Sequence, residues 1–337
     1  MDELSTFDYV LPDEAIAQTP LEDRSASRLL HLDPKTGEIY HRRFTEVLDL
    51  LHEGDLLVMN ETRVTALRLF GNKASGGRFE LLLLKELAEG KYEALARPAK
   101  RLPVGSELFF QNGLVCQVEQ DLGEGRKVIQ FQPTSHLKHM IEEEGYAPLP
   151  PYIHTALKEK ERYQTVYSNQ GGSAAAPTAG LHFTTELLDQ LRAKGVGTAT
   201  VNLQVGLDTF RPLATENLDE HKMHGETCSV TTEAAEKVAA CKGRIVAVGT
   251  TTVRTLETFA LGPKTLAVGE RVSTLFIRPG YRFQVIDGMF TNFHMPRTTM
   301  LLMISAMAGM EPVTRAYEHA LRSEYRFLSF GDSMLIL

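Results

Sequence analysis

Tryptophan is absent from the 337 residues, and cysteine occurs three times, at Cys116, Cys228 and Cys241. The three thiols are odd in number and far apart. They lack the C-x-x-C spacing of a structural zinc site or a redox pair, and a reducing cytosol suits them. A surplus of positive charge is missing too. With a net charge of −7, any contact with nucleic acid must come from a local basic patch rather than from the field of the whole protein. Long apolar runs are lacking: the stretch "MLLMISAMAGM" at 300–310 is shorter than the roughly 20 residues a bilayer span needs. The acidic opening "MDELSTFDYV" has no basic region leading into an apolar one. A soluble, cytoplasmic chain with no membrane partner is expected. No G-x-G-x-x-G follows a strand and no G-x-x-x-x-G-K-[ST] occurs, which disfavours Rossmann-type and P-loop nucleotide binding. What is present, 43% hydrophobic and 23% charged residues, suits a folded protein long enough for two domains.

The pattern along the chain changes twice. "SRLLHL", "EIYHRRF" and "DLLVM" read as strands around a short helical pattern, "TEVLDLLHEG". Between residues 60 and 150 short β-like runs ("FELLLL", "YEALA", "SELFF", "LVCQVEQ", "KVIQFQ") recur with turn signals between them, and five or six such strands suggest a small closed sheet. The proline-rich "GYAPLPPYI" then reads as a junction. Beyond it "TTELLDQLRAKG", "TATVNLQV", "TEAAEKVAACKG", "RIVAVG" and "TTVRTLETFA" alternate helix and strand. The expected fold is a layered α/β domain made of residues 1–59 and 151–337, with a small β-barrel domain, 60–150, inserted between its pieces.

Four stretches carry candidate chemistry. "GGSAAAPTAGLHF", 171–183, devotes thirteen residues to little side-chain volume before His182 and Phe183, which suits close approach of backbone to a ligand. In "RIVAVGTTTVRTLE", Gly249 and Thr250, Thr251 and Thr252 lead from a strand into a helix with Arg254 a turn later. Free N–H groups there suit an anion, and an ordinary threonine-capped turn explains the same letters. "DEHKMHGETC" gathers His221, His224, Glu226 and Cys228, as a proton-transfer or metal cluster or as a solvated polar turn. "TNFHMP" carries Asn292 and His294 ahead of a helix whose Met300, Met303, Met307 and Met310 read most simply as core packing. The basic residues of the barrel segment, Arg63, Arg68, Lys73, Arg78, Lys85, Lys91, Arg97, Lys100 and Arg101, read equally as a phosphate-contacting patch or as ordinary charged surface.

Ten strings in order between residues 7 and 336, among them "GDLLVMNETRV", "PLPPYI", "AAPTAGLHFT", "VGLDTFRP", "HKMHGE", "VAVGTTTVRTLE" and "YRFLSFGDSML", resemble the S-adenosylmethionine:tRNA ribosyltransferase-isomerase family of queuosine biosynthesis. The resemblance implies an α/β domain with an inserted barrel, no metal, and S-adenosylmethionine as co-substrate. It also implies a reaction in which the ribosyl part of that molecule moves onto the aminomethyl group of a 7-deazaguanine at the wobble position of tRNA with a GUN anticodon. Adenine and methionine leave, and the product is epoxyqueuosine-tRNA.

On that footing Glu226 or His224, with His221 beside them, is expected to take a proton next to the sulfonium, and His182 or His294 to assist departing adenine. Arg254, with Gly249 and Thr250 to Thr252, is expected to hold the methionyl carboxylate. Thr178 and Gly180 give the co-substrate room, Phe183 stacks on an extruded base, and Asn292, Arg97, Lys100 and Arg101 contact the tRNA. Three positions depart from the family pattern: Gln204 stands where histidine is usual, Asp208 where a small residue is, and Arg297 where an acid is common. A monomer is expected. Two other readings stay open, a metal-dependent hydrolase built on His221, His224 and Glu226, and a noncatalytic tRNA-binding module.

Overall fold

The computed structural model describes residues 4–157, 159–206, 213 and 216–337. The strands Leu56–Asn60, Ile245–Val248 and Gly288–Asn292 are buried along their whole length, as parallel strands covered on both faces must be. Together with Gly197–Leu203 they form a block of four parallel neighbours. Glu226–Val230 and Gly269–Ser273 extend this block on one side, and Ser333–Ile336, Arg28–Leu32 and Ile39–Arg43 extend it on the other, completing a nine-stranded sheet. Because successive strand residues face opposite ways, Leu57, Met59, Val246 and Val248 pack toward Leu187, Leu188 and Leu191 of the helix Thr185–Ala193. Val58, Ile245 and Ala247 belong to the opposite layer, with Val253 and Leu256 of Thr250–Thr258 and Leu301, Leu302 and Ile304 of Thr299–Ala308. Thr184 and Thr298 cap two of these helices by accepting N–H bonds from Leu187 and Leu301.

Six further strands, Arg126–Phe131, Lys91–Arg97, Arg78–Ala88, Leu67–Lys73, Glu107–Phe109 and Val115–Gly123, close into a barrel in that order. Leu69, Phe79, Leu81, Leu83, Leu108, Ile129 and Phe131 fill its interior. Closure needs glycine at Gly71, where a Cβ would stand 2.4 Å from the Phe109 carbonyl oxygen and 2.6 Å from the Phe79 ring. No helix among the described residues is long and apolar enough to cross a membrane.

Candidate active site

The carboxyl ends of the four parallel strands lie side by side, and what three of them deliver next builds one hollow. After Gly197–Leu203 comes Val205; after Ile245–Val248 come Gly249, Thr250 and Thr251; after Gly288–Asn292 come Phe293, His294 and Met295. Ala176, Pro177, Thr178 and Ala179 form the facing wall, and Tyr152, Leu328 and Ser329 close the rim. The hollow holds about 630 Å³ of space not filled by atoms, a figure that includes open solvent. In open α/β sheets this is where ligands sit. The helix Thr250–Thr258 starts at the hollow, and Thr298 and Met300, at the start of Thr299–Ala308, also line it. Two positive helix ends thus converge there. Gly249 sits at φ +87°, a conformation that glycine adopts without strain.

Buried polar bonds hold this wall. Asn292 Nδ2 donates to the carbonyls of Leu328, at 2.8 Å, and Ser329, at 3.3 Å. Its Oδ1 is therefore the acceptor for His182 Nε2–H at 3.2 Å, which leaves His182 Nδ1 to accept the Ser27 hydroxyl at 2.8 Å. That chain fixes the tautomer. Burial pushes the His182 imidazole down to about 4 and that of His294 to about 3, so both are neutral near pH 7. His294 Nε2 shares a 2.6 Å hydrogen bond with Thr291 Oγ1, and its backbone is pinned by the Tyr317 and Tyr9 hydroxyls. Asn60, at the end of its strand, donates to Thr251 Oγ1 and to the Leu203 carbonyl, both at 3.1 Å, and so ties neighbouring strand ends to the helix entrance.

The sequence-predicted residues divide accordingly. Gly249, Thr250, Thr251, Thr178, Asn292 and His294 meet in the hollow. His182 lies behind Asn292, with both ring nitrogens engaged, and is no direct ligand contact. Phe183 is not available for stacking: at the end of the 3-10 turn Thr178–His182 it is fully buried in the helix-covered core, against Phe44 and Phe290. Gly180 faces Tyr167, whose hydroxyl oxygen would lie 1.9 Å from an added Cβ, so its missing side chain serves packing rather than a ligand. Thr252 is buried and donates to the Val248 carbonyl.

Arg254 and Glu226 form a buried ion pair, with Arg254 Nε left without a hydrogen-bond partner among the described residues. Arg254 Nη1 donates to Glu226 Oε2 at 2.5 Å, and Nη2 donates to the carbonyls of Ser273, at 2.8 Å, and His224, at 3.0 Å. Glu226 Oε1 accepts the Gly206 N–H at 2.9 Å. The pair locks the strand end next to Val205, and both Nη groups of Arg254 are taken up within the protein. His221 and His224 follow a short 3-10 turn in extended chain, not on a helix. His221 lies against Phe276 and His224 is exposed, so the trio with Glu226 does not form a ligand cluster. Arg97, Lys100 and Arg101 are exposed on the barrel and do not line the hollow. Met300 lines it, whereas Met303 is core, so the methionine stripe serves both. Gln204 lies against Gly172, and Arg297 pairs with Asp8 and Glu216; Asp208 lies outside the described residues.

Tyr152, Asn60, Ser27, Thr291 and Thr298 were not singled out from sequence. A lone polar letter inside an apolar strand, as in "LLVMN", was the available signal for Asn60.

An open α/β sheet with a polar-edged hollow where its parallel strands end, joined to a closed barrel, defines a class of ligand-binding α/β proteins that includes many enzymes. The chain belongs to the queuosine biosynthesis protein family, whose model matches residues 4–336. It is similar to a solved S-adenosylmethionine tRNA ribosyltransferase from Thermotoga maritima, 38% identical, with 98% of this chain and 100% of that chain covered and a TM-score of 0.56.

Proposed function

We propose that the chain is an S-adenosylmethionine:tRNA ribosyltransferase-isomerase. It transfers and isomerises the ribosyl group of S-adenosylmethionine onto the aminomethyl-deazaguanine at the wobble position of tRNA with a GUN anticodon, releasing adenine and methionine. The observation that supports this best is the single hollow built by residues 176–179, 249–251 and 292–295. The N–H groups of Thr250 and Thr251 at the helix entrance hold the methionyl carboxylate, in place of Arg254. His294, a neutral imidazole on the wall, is the hydrogen-bond partner for a leaving or attacking nitrogen, and Tyr152 supplies the aromatic surface that Phe183 cannot. Glu226 and Arg254 act as positioning residues. The reading calls on no metal, places the reaction in the cytoplasm, and takes the monomer as the working unit, with residues 60–150 as an inserted domain.

The test is incubation with S-adenosylmethionine and tRNA carrying the aminomethyl-deazaguanine. Adenine and methionine released only when both are present supports the reading; intact S-adenosylmethionine after incubation with competent tRNA contradicts it.

A further inference from the structure

One face of the barrel carries aromatic rings that the interior does not claim. Residues directly opposite in neighbouring strands share a face, and Asn72 stands opposite both Phe109 and Arg78. Phe70 stands opposite Glu80, and Glu80 opposite Arg97. The alternate residues Leu69, Phe79, Leu81 and Leu108 fill the barrel, so these two rows point outward. Tyr146 joins them, bridged through its backbone to Arg68 and with its ring 5.8 Å from that of Phe70. Phe70 is 46% exposed, Phe109 37% and Tyr146 50%.

Arginine outnumbers carboxylate on this face: Arg68, Arg78 and Arg97 stand against Glu80, which is paired with Arg68 at 3.2 Å, and the exposed Glu107, two residues before Phe109 in its strand. Arg78 and Arg97 are exposed and make no ion pair among the described residues, in a chain of net charge −7. Toward the sheet the same outward face continues as Leu82, Leu84 and Leu95, which pack with Ala66 and Ala174. Ala174 lies two residues before Ala176, where the wall of the hollow begins. Ala66, Leu82 and Ala174 are buried, so the rings and arginines stand on the barrel just beyond the contact by which it packs on the segment leading into the hollow's small-residue wall.

Exposed rings interleaved with unpaired arginines suit a single-stranded nucleic acid, whose bases stack while its phosphates meet the cations. They suit a duplex poorly, because its bases are already stacked. We propose that this face is a platform for unpaired nucleotides of an RNA loop. Phe70, Tyr146 and Phe109 take bases, Arg78 and Arg97 take phosphates, and the loop is thereby held with one nucleotide at the hollow. The inference rests on the tRNA-modifying reading above.

The test uses the full chain and its tRNA substrate. Combined Phe70→Ala and Tyr146→Ala should raise the KM for tRNA about tenfold or more, with S-adenosylmethionine affinity and kcat at saturating tRNA unchanged, and Phe70→Tyr should retain binding. Combined Arg78→Gln and Arg97→Gln should reduce the slope of log affinity against log salt by about 1.4, two phosphates' worth, while the aromatic variants keep it. Tenfold weaker binding with these separate signatures supports the platform. Unchanged tRNA affinity in variants of a protein that turns over its substrate overturns it. So does an aromatic variant that merely splits a dimer, which would make the face a contact between two copies. Failure of the unaltered protein to release adenine would instead remove the reading beneath it.

Discussion

His182 and His294 are held neutral by burial, and that has a thermodynamic consequence. Well above pH 6.5 neither the folded nor the unfolded chain protonates them. As pH falls from there toward about 4, the unfolded chain binds protons that the folded chain refuses, so stability declines, by at most about 1.4 kcal/mol per pH unit for each histidine. Urea unfolding at neutral and mildly acidic pH measures this, and His182→Gln should flatten the dependence; an unaltered slope would mean that His182 is not buried as neutral imidazole. Phe183 makes a second residue-scale case. As a core ring its replacement by alanine should cost about 3–5 kcal/mol of stability while the folded remainder keeps its affinity for S-adenosylmethionine, as read by unfolding and by calorimetry. Both residues stood out in the sequence for their place in "AGLHF". Their directions did not, because these are set by Ser27, Asn292, Phe44 and Phe290, more than a hundred positions away.

At the scale of elements, the strand-to-helix passage "VGTTTVRTLE" was readable because its glycine, hydroxyls and helical spacing are all local. The pairing of Glu226 with Arg254 was not, since it depends on the strand Glu226–Val230 lying beside the helix Thr250–Thr258. This changes what Arg254→Ala should do. Removing the guanidinium takes the Arg254 ion pair from buried Glu226 and the Arg254 donors from the carbonyls of His224 and Ser273, so a loss of about 3–5 kcal/mol in folding stability is expected, with ligand affinity falling only as the strand end loosens. Replacing both partners with apolar residues should recover most of that loss. Undiminished stability in Arg254→Ala, joined to lost S-adenosylmethionine binding, would return the arginine to direct ligand contact. Gly249→Ala should cost about 1–3 kcal/mol through its backbone alone, since φ +87° with ψ 153° is a region essentially confined to glycine. The barrel strands were legible for the opposite reason to the ion pair: hairpin turns and period-two alternation are written within each run.

Over the whole molecule, the small-residue run 171–183 serves three ends. Its beginning lets the barrel approach, with Gly171 against Thr65 and Ala174 in a cluster with Leu82; its middle, 176–179, walls the hollow; its end enters the core. The run is where the barrel, the sheet and the ligand space meet, which explains its lack of bulk better than a ligand alone would. The central claim is that S-adenosylmethionine occupies the hollow where the parallel strands end. A crystal structure of the protein grown with S-adenosylmethionine tests it most directly. The account predicts the methionyl carboxylate at the Thr250 and Thr251 N–H groups, with the nucleoside between Ala176–Ala179 and His294. Density for the molecule elsewhere on the protein, with this hollow empty, would contradict it.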